Sequence, residues 1–189
     1  SPVDAGNPKR GPYVWGKAES ELLAQRLGLE LGLQVKVIRP GPLVDFNAFE
    51  PPGRLGRELG SIFVAVGGKR TPLSVCDVTT AAQVIRSYVA EFDAAPAVVN
   101  LVEAPAPTRA ELVRRLRAVR PDLRVRWLPA WLLRLMSGPL KLAQRWLMHS
   151  NQPLDVYAAF SSERYNTALA AQVVQKANRG AAPVAALEG

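Results

Sequence analysis

A short β-branched run, Leu33 to Ile38 (LQVKVI), passes directly into Arg39-Pro40-Gly41-Pro42. Proline donates no backbone N–H, so central-strand pairing has to stop there and the chain must leave the strand through a rigid loop. Upstream, Ala18 to Leu31 (AESELLAQRLGLEL) carries Leu22, Leu23, Leu27 and Leu31 at helical spacing, Glu19 and Glu21 near the expected positive end, and Gly32 as a stop. The order is helix, buried strand, Pro-Gly loop. That sets the loop at the carboxyl end of a strand, where open α/β sheets bind their ligands.

Immediately before this helix, Gly11-Pro12-Tyr13-Val14-Trp15-Gly16-Lys17 spaces a phenol and an ammonium four residues apart, on one face of a helical turn. A cation beside a phenol favours the phenolate and lowers the Tyr pKa from about 10, as a general acid/base requires. The same spacing also describes a helix start followed by a solvated Lys. Two later segments bear on the choice. Arg70-Thr71-Pro72-Leu73-Ser74-Val75-Cys76-Asp77-Val78 leads into an Ala-rich helix, and Val98-Val99-Asn100-Leu101 is followed by Thr108-Arg109-Ala110-Glu111-Leu112.

Taken in order, these segments resemble the short-chain dehydrogenase/reductase superfamily, in its extended, NAD-dependent epimerase/dehydratase-like branch. PYVWGKAESELLAQRLGLELGLQVKVIRPGPLVD is similar to that branch's active-site helix, strand and cofactor loop, and the likeness extends over about residues 8 to 170. The resemblance implies an α/β fold, a partial doubly wound Rossmann-like sheet with a C-terminal mixed α/β substrate-binding lobe. Residues 1–45 would be the remainder of the NAD(P)-binding domain, 46–177 mainly the substrate lobe with late sheet strands, and 178–189 a disordered tail.

It also implies roles. Tyr13 matches the residue that passes a proton to or from a substrate hydroxyl or carbonyl while hydride moves to or from NAD or NADP. Lys17 matches the residue that bonds the nicotinamide ribose and holds the Tyr pKa down, two tasks within reach of one ammonium with three donors. Backbone groups of Pro40, Gly41, Pro42, Leu43 and Val44 would face the nicotinamide. Arg70, seven residues before Asp77, matches an Arg that grips substrate phosphate, a task suited to a planar fork of donors, and also reads as a plain surface Arg. The implied partner is a small molecule with a hydroxyl or keto group, phosphate-bearing if Arg70 is its anchor, and a homodimer is compatible with the pattern.

The chain departs from the family in several places. The catalytic Ser or Thr expected before the Tyr has only Ser1 to match it, and the Asn common after the Arg-Pro pair is replaced by Pro42 and Leu43, with Asn47 farther on. A dinucleotide site also needs a strand, a glycine-rich turn and a helix N-terminus for the pyrophosphate, and none precedes Tyr13. Gly53, Gly56 and Gly60 in PPGRLGRELG follow no strand and read as loop and short helix. The chain reads as the C-terminal portion of a longer enzyme, with strand edges and apolar faces exposed unless the missing half is supplied. A catalytically silent, substrate-binding relative is the alternative.

The formal excess of +8 is concentrated in one stretch, because residues 109 to 145 hold ten Arg or Lys against Glu111 and Asp122. RAELVRRLRAVR puts Leu112, Val113, Leu116 and Val119 on one helical face and the arginines elsewhere, while Arg124-Val125-Arg126-Trp127 alternates as a half-buried strand. With Trp127, Trp131 and Trp146 nearby, this stretch reads as a solvated basic surface or a peripheral membrane contact, and least well as a nucleic-acid interface. A third class of function, a basic peripheral module acting through Arg114, Arg115 and Arg117, therefore stays open. Trp131 to Met148 is broken by Arg134, Gly138-Pro139 and Lys141, so it reads as two amphipathic pieces rather than a membrane span. The single Cys76 leaves no intrachain disulfide and suits a reducing, cytoplasmic setting, and His149 has no companions at metal-ligand spacing. Asn166-Thr167 opens a last helix through about Lys176, and Tyr165-Asn166-Thr167 resembles a segment that lines the substrate pocket in the same family.

Overall fold

In the computed structural model the described residues are 12–129, 131, 132, 135, 160 and 167–180, and they form a mixed α/β structure. The order is α1 (Pro12–Glu30), β1 (Val37–Pro40), β2 (Leu43–Val44), β3 (Gly56–Leu59), β4 (Ile62–Val66), β5 (Cys76–Asp77), α2 (Val78–Ala90), β6 (Val98–Leu101), α3 (Arg109–Val119), β7 (Arg124–Leu128) and α4 (Ala168–Gly180).

Strands β1 and β6 pair in parallel, Val37 with Val98 through Pro40 with Leu101. Side chains alternate across a strand, so Ile38, Val99 and Leu101 share one face, and there they meet Val84 and Tyr88 of α2 and Val173 and Ala177 of α4. The other face carries Arg39, which bonds to Glu21 of α1. Helices α2 and α4 thus cover one face of the parallel pair, and α1 is tied to the other through this bond. A second parallel pair, β2 with β5, leads the chain out of the Pro-Gly loop.

The third sheet has the order β3-β4-β7, with β3 antiparallel and β7 parallel to β4. Its Phe63 and Ala65 are buried with Leu112, Val113 and Leu116 of α3, and Val125 and Trp127 pack against them. Helix α3 starts on a capping box in which the Thr108 hydroxyl accepts from the Glu111 amide and the Glu111 carboxylate accepts from the Thr108 amide. That satisfies two donors that a helix start would otherwise leave open.

Four sequence expectations need correction. The Gly53-Gly56-Gly60 stretch is a β-hairpin, not loop and short helix: Leu59 pairs with Ile62 around Gly60, whose φ is +60°. Gly56 has no alternative there, since a Cβ would stand 2.2 Å from the Val64 carbonyl oxygen. Helix α1 begins at Pro12, which leaves Glu19 and Glu21 inside the helix rather than near its start. Leu22, Leu23, Leu27 and Leu31 are all exposed, in keeping with an apolar face that no element covers among the described residues. The last helix runs past Lys176 to Gly180, into the expected tail.

The fourth correction is Arg109, expected on the solvated side of α3. It is 1% exposed. Its Nη1 donates to the carbonyls of Arg54 at 2.6 Å and Val66 at 2.8 Å, and its Nη2 donates to that of Phe160 at 2.8 Å. Its Nε has no partner and lies against Gly67, where a Cβ would be 3.1 Å away. Burial, followed by the nearby Arg54 charge, lowers the Arg109 pKa from its ordinary value. Carbonyl dipoles from three separate segments hold this cation.

Candidate active site

Tyr13 and Lys17 both belong to α1, with Pro12 as its first residue, a position where a missing N–H breaks no helical bond. Lys17 is exposed. The next position at the same spacing is Glu21, whose side chain is only 13% exposed. Arg39 donates to it twice, Nε to Oε2 at 2.9 Å and Nη2 to Oε1 at 2.6 Å. Such a fork is both strong and directional. Chiefly through the Glu21 hydrogen bond, and against the effect of burial, the Arg39 pKa is raised from its ordinary value.

Arg39 immediately precedes Pro40, so this bond ties the series of positions 13, 17 and 21 to the strand end from which the loop departs. Drift along the series is about 40° per four residues, so the three positions stay on one side of the helix. A double-mutant cycle on Glu21→Gln and Arg39→Met should give a coupling of about 1–3 kcal/mol in urea unfolding. Simple addition of the two single effects would mean that the pair does not hold α1 on β1.

The loop itself is locked from the opposite side. The Gly41 amide donates to the Leu101 carbonyl at 2.9 Å, and the Pro42 carbonyl accepts from the Cys76 amide at 3.0 Å. A Cβ on Gly41 would stand 3.0 Å from Val102 Cγ1. Val44 turns into the core, while Leu43 is 54% exposed. Of the expected platform Pro40 to Val44, the Gly41 amide and Pro42 carbonyl are therefore used by the fold. Pro40 and Leu43 are the loop residues left exposed.

Val102 also lines a cavity of about 240 Å³ between the end of β6, the start of α2 and α4, whose polar groups are Thr80, Glu103, Gln175 and Asn178. Glu103 accepts the Asp77 amide at 3.1 Å, and Asp77 in turn accepts the Phe46 amide at 3.3 Å. These carboxylates brace the segment after the loop. Arg70 is elsewhere: its exposed turn bonds to the start of α3, with the Lys69 and Thr71 carbonyls accepting from the Ala110 and Arg109 amides. Sequence reasoning missed Glu21, Glu103 and the buried Arg109. Ser1, His149, Tyr165 and Asn166 lie outside the described residues.

Cys76 is fully buried, with its Sγ 3.5 Å from the Asp77 carbonyl. Burial first, then the Glu103 and Asp77 charges, push its thiol up to about 12. A raised folded-state value keeps the thiol protonated while the unfolded chain ionises, so its stabilising contribution is complete below about pH 9 and is lost as pH rises through about 12. Cys76 should react with a thiol reagent only after denaturation, and Cys76→Ser should flatten the alkaline loss of stability. Rapid labelling of the native protein would refute the buried thiol.

Among the described residues no helix is long and apolar enough to cross a membrane, and no three His, Cys, Asp or Glu side chains come together as a metal site. Compared with known proteins, the chain matches no family model, no curated protein and no solved structure.

Proposed function

We propose that this chain is the proton-transfer and substrate-facing part of an NAD(P)-dependent oxidoreductase or epimerase of the extended short-chain type, acting on a hydroxyl/ketone centre. The observation that supports the reading is the Glu21–Arg39 fork, which ties α1, the helix that carries Tyr13 and Lys17, to the strand end from which the Pro-Gly loop departs. A parallel strand pair with α2 and α4 on one face and α1 tied to the other is compatible with part of a doubly wound sheet, and α1 with its uncovered leucines is where further elements would pack.

The residues present suit the nicotinamide end of the cofactor. Leu43 offers an exposed apolar side chain on a rigid loop, and Lys17 sets an ammonium on an exposed helix face. The pyrophosphate end finds no counterpart among the described residues, since Gly56 is packed against Val64 inside a hairpin. The glycine-rich half would come from a segment that covers the β1 edge and α1. When bound, the cofactor supplies or accepts hydride. Tyr13 gives the substrate oxygen a proton, or takes one, and Lys17 steadies the phenolate form and the ribose.

The test is a titration of the full-length protein with NADH and NADPH, read by nicotinamide fluorescence. Binding of one of them, weakened about tenfold or more by Lys17→Met, is the expected result. Failure of both to bind would leave the second reading, a silent substrate-binding relative, which the absence of a glycine-rich turn among the described residues favours.

A further inference from the structure

The β3-β4-β7 sheet packs one face on α3 and leaves the other without a covering element among the described residues. Its register aligns Arg57, Val64 and Arg126 in one row and Leu59, Ile62 and Arg124 in the next. By alternation these six share the face opposite Phe63, Ala65, Val125 and Trp127. Arg57, Leu59, Arg124 and Arg126 are exposed, while Ile62 and Val64 are half-buried between them. Glu58 points to the other face, where it pairs with Arg120. None of Arg57, Arg124 and Arg126 forms an ion pair among the described residues.

The chain beyond β7 continues the same chemistry. Trp131 and Leu135, one helical turn apart, are 62% and 66% exposed. From Leu123 to Leu154 the sequence contains no Asp or Glu, against Arg124, Arg126, Arg134, Lys141 and Arg145.

We infer that this face docks reversibly on an anionic membrane surface. Guanidinium groups on long apolar stems can meet lipid phosphates while their stems and the intervening Leu59, Ile62 and Val64 bury among headgroups. A nucleic acid would use the charges but gain little from the aliphatic rows, because Leu59, Ile62 and Val64 offer no aromatic platform on which bases could stack. Each Arg near a negative leaflet adds attraction that falls off within a Debye length, so binding is salt-sensitive.

The experiment is co-sedimentation of the full-length protein with phosphatidylcholine vesicles, with and without phosphatidylglycerol, alongside a short DNA duplex. Expected are binding to the anionic vesicles only, weakening as salt rises, and a fall of about a hundredfold in partitioning for the triple variant R57Q/R124Q/R126Q. Leu59→Ser should also weaken binding, at unchanged far-UV circular dichroism. Equal partitioning of the triple variant and the wild type would overturn the proposal, as would DNA binding tighter than vesicle binding or concentration-dependent self-association through this face. Nicotinamide binding is read separately, so either result leaves the proposed function to its own test.

Discussion

Replacing Tyr13 with Phe should lower turnover of the full-length protein by about a hundredfold to ten-thousandfold, the range that a positioned general acid/base supplies. The change removes one hydroxyl from a helix residue and leaves the Glu21–Arg39 fork and the Pro-Gly loop untouched, so dinucleotide binding should stay within a factor of about two. Lys17→Met should behave differently, weakening cofactor binding and turnover together, because the proposal gives one ammonium both tasks. Glu21→Gln belongs to a third class. It should disturb the orientation of α1 on β1, with turnover and stability falling in parallel, since Glu21 accepts the two Arg39 bonds that tie α1 to β1. Undiminished activity in Tyr13→Phe would remove the acid/base role outright.

Arg109→Ala should cost about 2–4 kcal/mol of unfolding free energy, the largest stability loss expected of any single charged residue here. Two effects oppose one another. The variant strips the carbonyls of Arg54, Val66 and Phe160 of a charged donor and leaves a cavity beside Gly67, yet it also removes a buried cation with an unpartnered Nε. The first should win, because hydrogen bonds to a charged group are worth about 1.5–3 kcal/mol each and three are lost at once. Arg109→Lys keeps the charge but not the planar fork, and should recover less than half of the loss. A urea midpoint for Arg109→Ala within about 0.5 kcal/mol of wild type would show that the three carbonyls find other donors.

These two residues also mark what could be read from sequence. Tyr13 and Lys17 are a local pattern, visible because four-residue spacing is a property of any helix, and the Pro-Gly loop is visible because proline chemistry is local. Helix α3 announced itself through the helical spacing of Leu112, Val113, Leu116 and Val119 and ended within a residue of its expected bound. The Glu21–Arg39 fork was not legible, because it depends on how a helix lies over a strand. Arg109 was misread for a related reason. Periodicity assigns Arg to solvent, and the carbonyls that hold it come from distant segments that only the folded chain brings together.

The hairpin at Gly56 to Val66 failed on composition. Three glycines argued for loop, although Gly60-Ser61 between two β-capable runs also fits a tight hairpin turn. The leucines of α1 teach the reverse lesson. Their spacing correctly announced a helix, but spacing says only that a face is apolar and not that a neighbour lies there to bury it.

The proton-transfer pair can be tested without a known substrate, by following the Tyr13 phenol in the full-length protein with carbon-13-labelled tyrosine across alkaline pH. Tyr13 should titrate below the ordinary value of about 10 in the wild type and move back toward it in Lys17→Met. A Tyr13 that titrates near about 10 in both proteins would contradict the pairing on which the proposed function rests.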